Sequence, residues 1–189
     1  HFTLNYGVRM SHWSFNKETI VSPRVSLGII PAYSENTTFR FAAGLYYQAP
    51  FFKELRDTST VNGITYANLN EKIKSQRSIH FIAGYDYRFR INNLRYRFSA
   101  EAYYKALGNF IPYSVNNVKV VYYGENRASG HATGIDLKLY GEFVPGADSW
   151  LTFSLMNTSM KLNGKSVPLP TDQRFAVNLF FTDYFPGTE

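Results

Sequence analysis

The feature that most constrains this chain is a two-residue alternation of apolar and polar side chains, strong in five separate runs. Successive side chains of a strand point to opposite faces, so a period of two sorts a segment into two faces. Leu94, Tyr96, Phe98, Ala100, Ala102 and Tyr104 stand against Arg95, Arg97, Ser99, Glu101, Tyr103 and Lys105. Comparable runs occupy 39–48, 79–90, 135–143 and 174–182, with weaker ones at 2–13, 22–31 and 149–160. The pattern predicts about eight antiparallel strands, many close to the roughly ten residues that cross a bilayer when tilted. No segment of comparable length follows a helical period.

Composition narrows the classes further. Charged residues make up 18% of the 189, against about 25% in an ordinary soluble domain. Aromatics make up 17%, which excludes a disordered chain. No run of about 18 apolar residues exists, which excludes a helical membrane span. With no cysteine, a disulfide scaffold is excluded too. The first residues already alternate like the middle of a strand, and Pro186-Gly187 announces a turn. The expectation is a piece of a larger protein, with 1–189 as part of one domain.

Connection lengths add a second signal. Short polar turns are expected at 33–37, at Asn92-Asn93 and at 145–148, and longer joints at 14–21, 49–76, 108–128 and 161–172. An outer-membrane barrel has short turns on one rim and long loops on the other. A soluble β-sandwich, the runner-up, alternates as well but has no reason to segregate loop length. Aromatics are expected in two belts at the strand ends, where membrane interfaces favour them. One belt holds Tyr46, Tyr47, Phe51, Phe52, Tyr103 and Tyr104; the other holds Tyr85, Tyr87, Phe89, Tyr96, Phe143, Trp150, Tyr184 and Phe185.

In a membrane barrel the apolar face meets lipid and the polar face lines the lumen. The lumen would then carry Arg9, Arg24, Arg40, Arg88, Arg90, Arg95, Arg97, Lys105, Lys138 and Arg174. Against these ten cations stand four anions, Asp86, Glu101, Asp136 and Glu142, a surplus of six. If Asn92-Asn93 is a two-residue turn, Arg88 opposes Arg97 and Arg90 opposes Arg95. Like charges directly opposite destabilise a bare sheet, so something acidic or much water is expected inside. An eight-stranded barrel has an interior filled by side chains and could not hold this surplus. The eight strands are expected to be an open arc of a larger barrel.

Three short segments resemble one known family. Gly44 to Gln48 runs into Ala49-Pro50-Phe51-Phe52-Lys53-Glu54-Leu55, similar to the aromatic-Ala-Pro-x-x-x-Glu-Leu segment of TonB-dependent outer-membrane receptors. Asn126 followed by Gly134-Ile135-Asp136 resembles the family's Asn and Gly-hydrophobic-Glu strand start, with Asp136 in place of Glu. Pro170-Thr171-Asp172-Gln173-Arg174 resembles its P-x-D-Q-R segment. The likeness looks nearest to Bacteroidetes members that carry a carboxypeptidase-like regulatory domain. It implies a transmembrane antiparallel β-barrel of about 22 strands around a plugged lumen, in the bacterial outer membrane, importing a scarce nutrient with energy from TonB. It implies as partners the outer-membrane lipid, the receptor's own plug and TonB, with a surface lipoprotein or other outer-membrane proteins as further ones. The plug and regulatory domain are expected upstream of this segment. The other reading of the same resemblance is a barrel retained as a structural subunit of a larger outer-membrane assembly.

Enzyme chemistry finds no support. His1, His12, His80 and His131 are scattered without metal-ligand spacing, and no nucleophile elbow or phosphate-binding loop occurs. Asp86 and Glu101 read as ion-pair partners of neighbouring arginines rather than an acid–base couple. No cofactor is called for. The net charge of +6 raises nucleic acid, but the cations are dispersed along strands with no recognition element. Lys53, Arg56, Lys72, Lys74 and Arg77, with Phe51, Phe52 and Tyr66, form a loop that either binds an anionic ligand or is solvated charge.

Overall fold

The computed structural model describes residues 1–144, 146–169 and 172–182, with the backbone alone for 57–61, 65 and 67. In chain order the elements are β1 (Phe2–Trp13), β2 (Glu18–Ile29), β3 (Thr37–Gln48), α1 (Phe52–Leu55), β4 (Arg56–Val61), β5 (Ile64–Leu69) and β6 (Gln76–Ile91). There follow β7 (Leu94–Phe110), β8 (Tyr113–Asn116), β9 (Lys119–Tyr122), β10 (Ala128–Val144), β11 (Ala147–Leu162), β12 (Lys165–Pro168) and β13 (Phe175–Phe181). One antiparallel sheet takes the order β1-β2-β3-β6-β7-β10-β11, and both β12 and β13 lie along the far edge of β11. That makes eight strand positions, the last interrupted between β12 and β13. The hairpins β4–β5 and β8–β9 are separate two-stranded ribbons inserted in the long connections. β1 and β13 occupy opposite ends of the sheet, with no ladder between them among the described residues.

Register is continuous in parity from edge to edge. Leu27 pairs Phe41, Phe41 pairs Ala83, Ala83 pairs Ala102, Ala102 pairs Ile135, Ile135 pairs Leu155 and Leu155 pairs Phe175. One apolar row therefore crosses seven strands, and its neighbours above and below repeat it. A slip of one residue anywhere would have carried a strand's apolar set to the other face. The apolar face has no second layer over it. Phe41 is 46% exposed, Phe81 53% and Leu179 68%. A soluble sandwich would bury these side chains against a facing sheet. The described residues contain no such sheet.

Two expectations about connections need correction. The joint expected at 14–21 is a four-residue turn at 14–17, because β2 begins at Glu18. Its Lys17 takes a left-handed φ of 56°, and Asn16 closes the turn by accepting from the Glu18 amide at 3.1 Å. The connection 30–36 is longer than that, so segregation of loop length by rim fails at the first hairpin. It holds across the other connections. The turn at Asn92-Asn93 has both residues at positive φ, 49° and 66°, the two-residue form that fits the right-handed twist of its strands.

Candidate functional site: the polar face of the sheet

The polar face divides into three tiers along the strands. Nearest the short turns, Arg88 opposes Arg97 and Arg90 opposes Arg95 across the Asn92-Asn93 turn. The four arginines line a recess with Asn36 and Tyr140. Cations here lie against ring faces. The Arg97 guanidinium sits 5.8 Å from the Tyr140 ring centre, and the Lys138 ammonium sits 4.8 Å from that of Trp150. Trp150 stacks on Phe180 at 3.8 Å and 13°, and Tyr140 lies 6.3 Å from Trp150. A desolvated cation–ring contact is worth up to about 2 kcal/mol, so these rings offset part of the repulsion in place of carboxylates.

In the middle tier Arg40 is the junction. Its Nε lies 2.6 Å from Asp86 and its Nη1 3.5 Å from Glu101, while the Ser99 hydroxyl donates to Asp86. The side chain reaches across Gly84, passing 3.1 Å from where a Cβ would stand. A side chain at 84 would crowd the guanidinium and force it to shift by a few tenths of an ångström. Arg40 thus bridges two like charges, Asp86 and Glu101, while Asp136 pairs with Glu101 on its far side, across β7 and β10.

The tier toward the long connections carries Arg24, Tyr46, His80, Tyr103 and Lys105. Arg24 lies 4.3 Å above the Tyr46 ring, which stacks on His80 at 4.3 Å. Tyr103 lies flat across Gly134, its hydroxyl 2.5 Å from the missing Cβ position. Arg9 stands apart on the edge strand opposite Ser22. Arg174 binds Asp172 at 2.7 Å.

Register thus places Arg9, Arg24, Arg40, Asp86, Arg88, Arg95, Arg97, Glu101, Lys138 and Arg174 on one face, opposite the apolar rows. It gathers Arg40, Asp86 and Glu101 into direct contact and leaves Arg9 isolated. The aromatic belts need revision. Tyr46, Tyr103 and Trp150 belong to the polar face by the same register, and Tyr184 and Phe185 lie outside the described residues. On the apolar face at the short-turn rim, Tyr87, Phe89, Tyr96 and Phe143 do form a continuous ladder of near-parallel rings, 5.6 to 6.4 Å apart.

The long connections are tied together by polar side chains whose role the sequence alone did not reveal. Leu55, Ile73 and Ile111 form a small buried cluster, packed by Trp13, Phe15 and Tyr122. Around it, the Glu54 carboxylate accepts from the Phe51 amide at 2.8 Å, and Glu18 accepts from the Ser75 amide and hydroxyl. Asn126 accepts from the Lys74 amide at 2.7 Å and donates to the carbonyls of Lys74 and Asn109, both at 2.8 Å. Asp172 accepts from the amide and hydroxyl of Thr158. Glu54, Asn126 and Asp172 are the polar members of the three motifs that carried the family resemblance.

A family model described as TonB dependent receptor-like, beta-barrel matches residues 1–188. The chain belongs to that family. It is a bacterial outer-membrane family of receptors and transporters rather than of enzymes, with a plug domain and TonB as general partners. No curated protein matches the chain. The family setting explains why the apolar rows stay uncovered, since lipid replaces the facing sheet as their apolar environment.

Proposed function

We propose that residues 1–189 form an eight-strand arc of the barrel wall of a TonB-dependent receptor of the Bacteroidetes type, which imports a nutrient under TonB power. The plug and the carboxypeptidase-like regulatory domain belong to the same receptor. The polar face lines the lumen and takes the plug against its short-turn tier; the apolar face meets lipid. The observation that carries this reading is the common parity of register across seven ladders, interrupted only near the ends of β10. It leaves a face exposed that is apolar through the middle of the strands and gathers every strand-borne arginine of the site on the other. An open sheet edge in hydrocarbon would leave backbone groups unsatisfied at several kcal/mol each, so further strands of the receptor pair with the outer edges of β1 and β13. A surface lipoprotein over the long connections fits the same architecture.

Spin labels at adjacent residues test the reading. In the intact receptor in bilayers, a label replacing Arg97 should be quenched by a water-soluble relaxant and one replacing Phe98 by a lipid-soluble one. The reverse pattern would overturn the assignment of faces.

A further inference from the structure

The polar tier toward the long connections holds a row of cations and rings that no ion pair of the sheet accounts for. Register aligns Arg24 with Gly44, Gly44 with His80, His80 with Lys105 and Lys105 with Ala132. Arg24, Tyr46 and His80 form one continuous stack, guanidinium on phenol on imidazole, with 4.3 Å at each step. Lys105 stands beside His80 in register, with its ammonium 5.1 Å from the Tyr103 ring centre. Small residues at 44, 132 and 134 leave the wall between these side chains low.

No carboxylate answers the cations. Among the described residues neither Arg24 nor Lys105 has an acid within 4.0 Å, and the ion pairs of this face belong to Arg40 and Arg174. Glu101 is four residues from Lys105 along β7, about 14 Å at about 3.4 Å per residue. The row therefore offers two donor-bearing cations beside flat rings, with no carboxylate of the described residues within 4.0 Å of either.

We propose that this row binds the carboxylate of a planar, ring-bearing anion within the lumen. The carboxylate sits at Lys105, and the ring lies against His80, with Arg24 adding positive field from the other end of the stack. The proposal rests on the polar face being the lumen, and it deepens that reading by giving the solute a chemical class.

The segment has no cysteine, so a reporter thiol is clean if the rest of the receptor is made cysteine-free. Ala132→Cys places one opposite Lys105 without touching the four side chains. The full receptor in outer-membrane vesicles would be treated with anionic and with cationic methanethiosulfonates of equal size. The local field should favour the anionic reagent by about tenfold. A raised thiolate fraction accelerates both reagents alike, so their ratio reports the field alone. The preference should vanish in Arg24→Gln/Lys105→Gln. Benzoate should slow labelling at concentrations where acetate and benzyl alcohol do not. Equal rates for the two reagents, or equal protection by acetate, would overturn the proposal while leaving the lumen intact. No reaction with either reagent would also overturn it, and the labels at 97 and 98 then tell whether the lumen reading falls with it. Where A132C fails to assemble, A42C on the same face supplies the same comparison.

Discussion

The two faces of this sheet are made by the same strands, and they solve the same problem in opposite ways. On the apolar face, neighbours such as Phe41, Ala83, Ala102, Ile135 and Leu155 repeat one chemistry across every ladder and stay exposed. No second layer of protein covers that face among the described residues. Its stability comes from the solvent it meets, which must be hydrocarbon. On the polar face, side chains satisfy one another locally: Arg40 spans two acids, Trp150 and Tyr140 take cations on their rings, and glycines make room for flat side chains. One face is specified by its surroundings and the other by pairwise geometry. A substitution should therefore act collectively on the first and individually on the second.

Adjacent residues of β3 give the sharpest way to break this comparison. Phe41→Arg should cost about 2–4 kcal/mol, the penalty for a cation near the bilayer midplane. Ala42→Arg, one residue on and facing the other way, should cost under about 1 kcal/mol. Denaturant midpoints of the receptor refolded into vesicles would show the difference; equal midpoints would mean the faces are not distinct solvents. A smaller effect is expected at the rim. Asn126→Ala removes hydrogen bonds that join two long connections to the end of β7. At about 0.5–1.5 kcal/mol per bond, discounted because Asn126 is only partly buried, the loss should be about 1–2 kcal/mol. Protease cleavage within 111–127 should become faster, with the denaturant midpoint of the barrel itself little changed.

How far the sequence was legible follows the same division. Period-two runs located the main strands, and the Asn92-Asn93 turn fixed the Arg88–Arg97 opposition, because both depend on local chemistry. The loop hairpins were missed although their signals were present. Asn62-Gly63 and Asn163-Gly164 both take positive φ, at 52° and 77° and at 51° and 78°, and Asn-Gly is the strongest short hairpin signal. Strands of six and four residues are too short to show a period, so the turn residues were the only clue. The placement of Tyr46, Tyr103 and Trp150 was read from position along the strand, when parity decides it. The roles of Glu54, Asn126 and Asp172 depend on partners far away in sequence, which no local pattern carries.

The plug contact should give a further, smaller effect per residue. Arg88 and Arg97 carry fixed charges that cannot be relieved by deprotonation, so an acidic or hydrogen-bonding plug surface is expected against them. Surface-strength pairs of about 0–1 kcal/mol each would hold a plug without preventing its rearrangement. Arg88→Glu/Arg97→Glu should loosen the plug and quicken swelling of receptor-loaded liposomes in small sugars. Swelling no faster than that of the unaltered receptor, with the barrel correctly assembled, would assign those arginines to water instead.

The smallest expected effect separates fixed from titratable charge on the polar face. Asp172 lies outside the strands and accepts from the amide and hydroxyl of Thr158 at 2.9 and 2.8 Å, with Arg174 at 2.7 Å. The amide bond, the hydroxyl bond and the guanidinium, in that order, all favour the carboxylate, so its pKa is lowered from the usual range. A group with a lowered folded pKa contributes stability above its unfolded value, near 3.9, and loses it as pH falls through the folded one. The junction between β11 and the start of β13, where the Met156 amide donates to the Arg174 carbonyl at 3.0 Å, should thus hold at neutral pH and loosen only in acid below about pH 4. The Thr158 amide resonance in the receptor should titrate with a midpoint under the ordinary carboxylate value. Asp172→Asn should abolish that titration while keeping an acceptor for the amide. A midpoint at or above the ordinary value would mean that the contact does not prefer the charged form, and that Arg174 is held at this edge by its backbone alone.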